Sequence, residues 1–163
     1  MPMYLSKSDF KVARECPAKL HYKKNRYPST KQEDPYLQYL ADGGYMVEKI
    51  AHCLYPGGAE LDFALNETAE AADATRQWIE KTDSGVLFEA VVVWESFMAR
   101  IDVLEKTGNV LRVVEVKSAS VDTSEGHPLR GKRGGINSDR RPYVEDVTYQ
   151  TVLLEKAFPS FSV

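Results

Sequence analysis

The stretch Phe97–Lys117, FMARIDVLEKTGNVLRVVEVK, predicts two β-strands joined by a tight turn. Both halves are rich in apolar and β-branched residues, and the segment between them supplies the Gly and Asn of a hairpin turn. Asp102 lies inside the first strand, while Glu115 and Lys117 close the second. Because strand side chains alternate between the two faces of a sheet, Glu115 and Lys117 are predicted to share one face. Two carboxylates and an ammonium group are therefore expected to converge.

Two interpretations of these charges are open at this point. A charge buried on a sheet face costs on the order of several kcal/mol unless it is paired or coordinates a metal. Carboxylate oxygens are ligands that suit Mg²⁺ or Mn²⁺, and Lys117 would stabilise developing negative charge or hold an attacking water. The same residues also fit a surface hairpin with a cross-strand ion pair.

The surroundings of the hairpin resemble the RecB-like branch of the PD-(D/E)XK nuclease superfamily. The resemblance rests on four places in this chain: Gly44-x-x-x-Glu48, Asp102, Glu115-Val116-Lys117 and Gln150. The opening LSKSDFKVARECPAKLHY is also similar to the start of RecB-like nucleases related to those of CRISPR adaptation. In order and spacing the likeness extends from about Leu5 to Leu154.

The expected fold class is α/β, with the restriction-endonuclease-like mixed central sheet flanked by helices that the resemblance implies. We expect one domain over residues 1–163, either C-terminally shortened or part of a longer protein. The sequence patterns predict strands near 87–94, 98–104 and 110–117, with a short strand near 61–64, and helices over 6–24, 35–54, 66–82 and 142–158.

The activity that the resemblance implies is metal-dependent, exonucleolytic hydrolysis of DNA phosphodiester bonds, with Mg²⁺ or Mn²⁺ as cofactor. The expected partner is DNA, as single strands or duplex ends. The catalytic residues implied are Asp102, Glu115, Lys117 and Gln150. The metal ligands implied are Glu48, Asp102, Glu115 and the carbonyl of Val116.

Three departures from the family pattern support an alternative interpretation. Leu154 stands at the tyrosine place of the Q-x-x-x-Y motif, three of the four iron–sulfur cysteines of RecB-like relatives are missing, and the sequence stops at Val163 where relatives continue. Glu48 stands where many RecB-like enzymes have histidine, although other members of the superfamily use a carboxylate there. The alternative is a catalytically inactive nuclease-fold domain that binds nucleic acid or a protein partner. Asp102, Glu115 and Lys117 together favour the active enzyme.

Basic residues are local in this chain, whose formal net charge is −3. Between residues 11 and 31 there are seven Lys or Arg and one acid, which fits either a phosphate-contacting helix or a solvated basic face. The long Gly-rich segment 118–141 is predicted to be a flexible loop that contacts nucleic acid, or simply to be disordered. Its candidate nucleic-acid-binding residues are Arg130, Lys132, Arg133, Arg140 and Arg141.

Three further expectations concern single residues. The helix over 35–54 is predicted to turn Leu40, Val47, Ile50 and Leu54 inward, and Gly44 is predicted to let another backbone approach closely. Glu89 is the one charge in an apolar strand, either an accessory site carboxylate or the partner of an arginine such as Arg100.

The two cysteines do not predict a disulfide framework. Cys16 matches a single iron–sulfur ligand position of RecB-like relatives, and since a cluster normally needs four thiolates, we expect no cluster and a buried structural cysteine. No run of 18 apolar residues and no signal-peptide pattern is present, so the prediction is a cytoplasmic protein without membrane association.

Overall fold

The computed structural model is an α/β fold with a four-stranded mixed sheet flanked by helices. It describes residues 3–28, 34–64, 66–121, 127–131 and 133–163. The elements are α1 (Lys7–Glu15), α2 (Pro17–Lys24), α3 (Pro35–His52), β1 (Ala59–Glu60), α4 (Thr68–Lys81), β2 (Ser84–Trp94), β3 (Phe97–Thr107), β4 (Val110–Val114) and α5 (Arg141–Ala157), the last preceded by a 3-10 turn over Ser138–Arg140.

The sheet has the order β1-β2-β3-β4, in which β1 runs parallel to β2 and the other pairs are antiparallel. The predicted hairpin joins β3 to β4 through Gly108, whose φ of +55° is a conformation that glycine adopts readily. The predicted short strand near 61–64 is displaced, because β1 covers only Ala59–Glu60.

β4 is shorter than the predicted strand 110–117, because it ends at Val114. The backbone N–H of Val116 donates to Asp102 Oδ2 at 2.8 Å instead of joining a strand ladder. Glu115 and Lys117 therefore lie just beyond the strand, in a segment whose backbone is hydrogen-bonded to the Asp102 side chain of β3.

The hydrophobic core lies between the sheet and helices α4 and α5. Its buried members are Ile79, Leu87, Ala90, Val92, Ala99, Ile101, Leu104, Leu111, Leu153, Leu154 and Phe158. Where β1 no longer covers β2, the Thr75 hydroxyl of α4 accepts the N–H of Val91 at 2.9 Å. α4 thus satisfies a strand donor that the short β1 leaves unpaired.

Pro17 divides the predicted helix 6–24 into α1 and α2, with Cys16 between them. Cys16 is exposed, so the prediction of a buried structural cysteine was wrong. The residue serves as the N-cap of α2, a position at the junction of two helices where the side chain meets solvent.

The predicted inward stripe of α3 was wrong for three of its four residues, because Leu40, Ile50 and Leu54 are 49%, 61% and 76% exposed, whereas Val47 is half-buried. A Cβ at Gly44 would meet no described atom within 4 Å, so no backbone approaches there. Among the described residues, α3 is held near its C-terminal end, where His52 stacks on Phe88 with ring centroids 3.8 Å apart.

No helix within the described ranges combines the length and the apolarity needed to cross a membrane.

The start of α1 depends on Asp9, a buried carboxylate in a capping box with Ser6. Lys23 and Lys24 of α2 also pair with Asp9, at 2.9 Å and 2.6 Å. Burial would raise the pKa of Asp9, but the two lysines and the Ser6 hydrogen bonds outweigh it and hold this pKa well below its usual range.

We expect Asp9→Asn to lower the free energy of unfolding at pH 7 by roughly 1–3 kcal/mol, since a buried charge pair is lost. Because the pKa of Asp9 is depressed in the folded state, this difference is complete at neutral pH and shrinks as the pH falls below about 4. Urea unfolding across pH measures it. Glu15→Gln, which breaks the exposed pair with Lys19, is the control and should leave the stability nearly unchanged. Equal effects of the two variants would contradict this account.

Candidate active site

Side chains from five separate elements meet beside the end of β4. α1 contributes Lys7 and Lys11, β3 contributes Asp102, and α5 contributes Asp146 and Gln150, around the Glu115–Lys117 segment. α3 and β2 add a neighbouring pair of carboxyls, Glu48 and Glu89. The structure thus brings together the predicted residues Glu48, Asp102, Glu115, Lys117 and Gln150.

Glu115 is the centre of this arrangement, and its side chain is 2% exposed. One carboxylate oxygen, Oε1, accepts from Lys7 at 2.6 Å and from Lys117, while Oε2 accepts from the Gln150 amide. Burial raises the pKa of Glu115, yet Lys117, Lys7 and Gln150 outweigh burial and lower this pKa below its ordinary value. Glu115 is therefore a stable, buried anion.

Lys117 lies between two acids. Its ammonium pairs with Glu115 and also stands 3.0 Å from Asp146 Oδ2, an oxygen that Lys11 approaches at 2.8 Å. Burial would lower the pKa of Lys117, but Glu115 and Asp146 raise this pKa above its ordinary value. Lys117 is held as a cation at a fixed place.

Asp146 is a site residue that the sequence analysis missed. It precedes Gln150 by one helical turn, so the two side chains lie on one face of α5, and both residues are 0% exposed. Asp146 Oδ1 and Gln150 Oε1 are buried and have no hydrogen-bond partner among the described residues. The i, i+4 spacing of a helix acid ahead of Gln150 was the signal available in the sequence.

Asp102 differs from Glu115 in its electrostatic surroundings. Burial and the nearby charge of Glu115 both raise the pKa of Asp102. The hydrogen bond that Asp102 accepts from the Val116 N–H and the charges of Lys7 and Lys117 lower it, but by less. The pKa of Asp102 is accordingly raised. Without a further cation, the fold disfavours the ionised form of this carboxyl.

Glu48 and Glu89 form a second acidic group next to Asp102. A hydrogen bond with Glu89, burial, and the charges of Glu89 and Asp102 raise the pKa of Glu48 to about 8. Glu89 sits in β2 with φ +57°, an unusual conformation for a non-glycine residue in a strand, and its carboxylate lies 3.5 Å from Arg100. Both predicted roles of Glu89 are thus compatible with its position, as an arginine partner and as a neighbour of the site.

The donor set fits a hard divalent cation in its chemistry. Glu48, Glu89 and Asp102 offer carboxylate oxygens whose mutual repulsion a cation would relieve, and Mg²⁺ needs only one or two protein carboxylates besides waters and phosphate oxygens. Within the described ranges, no three His, Cys, Asp or Glu side chains form a ready-made metal cluster. Any ion would therefore take part of its coordination shell from water and substrate.

Four of the five candidate nucleic-acid-binding residues lie within the described ranges. Lys132 lies outside the described residues. Arg130 forms an isolated antiparallel β-bridge with Ile136. The Arg140 guanidinium donates to the Ser120 carbonyl at 2.8 Å and lies over the Tyr143 ring. The basic residues placed at the start of α5 are therefore partly engaged within the chain.

The lysines of α1 and α2 are also engaged internally. Their ion pairs join Lys11 to Asp146, Arg14 to Glu145, Lys19 to Glu15, and both Lys23 and Lys24 to Asp9. The two sequence interpretations, a phosphate-contacting helix and a solvated basic face, both stay open, and the structure adds that these residues pair with acids of the same chain.

No protein-family model, no curated protein and no solved structure matches this chain.

The contrasting surroundings of Glu115 and Asp102 give an expectation for stability in EDTA at pH 7. Glu115→Gln should lower the free energy of unfolding by roughly 1–3 kcal/mol, because Lys7 and Lys117 lose their shared anion. Asp102→Asn should leave the stability unchanged or raise it, since the amide oxygen still accepts from Val116 and one repulsive charge is removed. Urea unfolding compares the two variants.

Glu155→Gln, on the exposed side of α5, is the control for this comparison. A loss of stability in Asp102→Asn as large as that in Glu115→Gln would show that the two carboxylates do not differ as described.

Proposed function

We propose that the chain is a metal-dependent nuclease that hydrolyses DNA phosphodiester bonds, on the restriction-endonuclease-like plan of RecB-like enzymes and with exonucleolytic action. The observation that carries the proposal is the convergence of Asp102, Glu115, Lys117 and Gln150 at one place, next to Glu48. Buried carboxylates beside a partly buried ammonium are costly to assemble, and such groups cluster at functional sites. DNA is the proposed partner.

In this proposal Mg²⁺ or Mn²⁺ would be held by Asp102 and Glu48, with Glu89 beside them and the Val116 carbonyl retained as a further ligand. The ion would polarise the phosphate and lower the pKa of a bound water. Glu115 also belongs to the proposed ligand set, but its two oxygens already accept from Lys7, Lys117 and Gln150. Its larger contribution is to keep those three donors in place.

The lysines give the site a cationic side opposite its acidic side. Lys117 is fixed between Glu115 and Asp146, so its ammonium is preorganised for a phosphate or for charge that develops on it. Lys7 offers a second ammonium on the same Glu115 oxygen. Gln150 orients Glu115 and thereby indirectly orients Lys117.

The direct test is incubation of the purified protein with end-labelled single-stranded and blunt duplex DNA in Mn²⁺ or in EDTA. We expect cleavage only with the metal, progressing from ends, and its loss in Asp102→Asn and Glu48→Gln. Cleavage that persists in EDTA, or wild-type rates in Asp102→Asn, would remove the proposed site from the reaction.

Lys117 separates a nuclease from a metal-binding scaffold. We expect Lys117→Ala to bind Mn²⁺ nearly as well as wild type in a calorimetric titration, because an ammonium is not a ligand. Its cleavage rate should fall by about 10² or more, since transition-state charge loses a preorganised group. The control is Lys81→Ala, an exposed lysine at the end of α4. If Lys117→Ala cleaves normally, the lysine has only a structural role.

Asp146 is expected to act as a positioning residue through Lys117. Asp146→Asn should lower kcat roughly ten- to a hundredfold with KM nearly unchanged, because Lys117 and Lys11 lose a shared anchor. Asp146→Glu, which restores the charge, should recover part of the rate. Rates are referred to the folded fraction measured by circular dichroism. A variant that is merely less stable, with normal kcat in its folded fraction, would contradict this role.

The second candidate function is a nuclease-fold domain that binds nucleic acid or protein without cleaving it. Two observations favour it: the Glu115 oxygens are already occupied by protein donors, and no three-residue metal cluster is formed in the described part of the chain. Binding of DNA in both Mn²⁺ and EDTA without any cleavage would favour this candidate.

A further inference from the structure

A cavity of about 540 Å³ lies on the face of α5 that points away from the carboxylate–lysine site. Its walls come from α1, the turn between β2 and β3, the segment before α5, and the outer face of α5. The lining residues are Phe10, Arg14, Trp94, Phe97, Ile136 and Arg141 with Val144, Glu145, Thr148, Tyr149, Val152 and Leu153. The volume falls within the range of about 300–1,000 Å³ that is typical of small-ligand sites.

Aromatic rings form two walls of this cavity. Phe10 stacks on Tyr149 with ring centroids 5.2 Å apart, and Trp94 lies nearly parallel to Phe97 at 6.4 Å. Val152 contributes an aliphatic surface that is 46% exposed. Flat rings and exposed aliphatic surface suit a flat, apolar occupant.

The charges around the cavity favour an occupant that is also anionic. Arg14 and Arg141 line it, and the Lys156 ammonium lies 5.9 Å from the centre of the Trp94 ring. Glu145 neutralises Arg14 through an ion pair of 2.9 Å, whereas Arg141 has no acidic partner among the described residues. An excess of positive charge thus borders the aromatic walls.

We propose that this cavity holds one unpaired base of a single-stranded DNA whose adjoining phosphate pairs with Arg141. A nucleic-acid strand is the chemistry that joins a flat ring to an anion, and proteins that bind single strands combine aromatic stacking with basic groups. The inference rests on the proposed function in one respect: the strand held here would be the substrate of the site on the other face of α5.

The test uses the fluorescence of Trp94 in EDTA, so that no cleavage is required. Trp78→Phe leaves Trp94 as the single indole of the full chain. Titration with an oligothymidylate of about ten nucleotides should quench the fluorescence of Trp94. An abasic sugar-phosphate strand of the same length should bind at least about tenfold more weakly and leave the fluorescence unchanged. Tight binding of both strands with equal signals would overturn the proposal.

Val152→Asp, made in the same background, places a carboxylate on the cavity wall and should weaken oligothymidylate binding by about tenfold or more. Val110→Asp is the matched control, because Val110 is 50% exposed and lies outside the cavity. This control should bind as the parent does. Wild-type affinity in Val152→Asp would overturn the proposal.

Two further outcomes separate this inference from the proposed nuclease activity. Quenching of Trp94 without any Mn²⁺-dependent cleavage would support the cavity and reject the nuclease. Cleavage by a protein whose Trp94 does not respond to DNA would reject the cavity alone. A response of Trp94 to a synthetic amphipathic peptide with acidic ends, but not to the oligonucleotide, would assign the cavity to a protein partner and overturn the proposal.

Discussion

The ion pairs of the buried Glu115 carboxylate are the interactions on which the rest of the structure depends. A carboxylate that is 2% exposed strongly destabilises the fold if it loses its partners. Two of these partners, Lys7 and Gln150, lie 108 and 35 residues away in the sequence, so the fold must place both of them beside Glu115. This requirement fixes α1 and α5 on the same side of the sheet. Leu5 supports the same placement, since it pairs with β3 at Phe97 and its carbonyl accepts from the Tyr149 hydroxyl.

The site is divided into a cationic side and an acidic side, and Asp102 lies between them. On the cationic side every negative charge is matched, as the lowered pKa of Glu115 and the raised pKa of Lys117 indicate. On the acidic side Glu48 and Glu89 share a hydrogen bond, and Glu89 keeps a left-handed backbone that costs about 1–3 kcal/mol. Backbone strain and like charges in contact are typical of functional sites in general. The proposed metal role rests on the repulsion between these carboxyls, which a cation would relieve.

Local patterns predicted much of this architecture. The hairpin follows from local strand and turn patterns, which depend on a few neighbouring residues. Glu115 and Lys117 do converge, but in a segment beyond the end of β4, where strand alternation does not apply. The exact end of β4 could not be predicted, because the N–H of Val116 is bound by a side chain 14 residues away. The apolar pattern of α3 predicted an amphipathic helix but carried no information on whether another element would cover it. Asp146 was missed although its spacing of four from Gln150 was a signal, because its ion-pair partners Lys11 and Lys117 are distant in sequence.

α1 and α5 are joined by two neighbouring ion pairs of unequal strength, and this inequality bears on how the site and the cavity are related. Asp146 is fully buried and binds Lys11 at 2.8 Å, whereas Glu145 and Arg14 meet at 2.9 Å in an exposed position. The Lys11–Asp146 pair is costly to break because its carboxylate is fully buried, and it fixes the spacing of the two helices. The more exposed Arg14–Glu145 pair contributes little and is easily exchanged. In the proposed DNA complex, the phosphate paired with Arg141 would share the cavity wall with the exposed Glu145–Arg14 pair and would leave the contacts that hold Lys117 intact. The Lys11–Asp146 pair thus supports both faces of α5, and the ion pair on the cavity face is the easier of the two to replace.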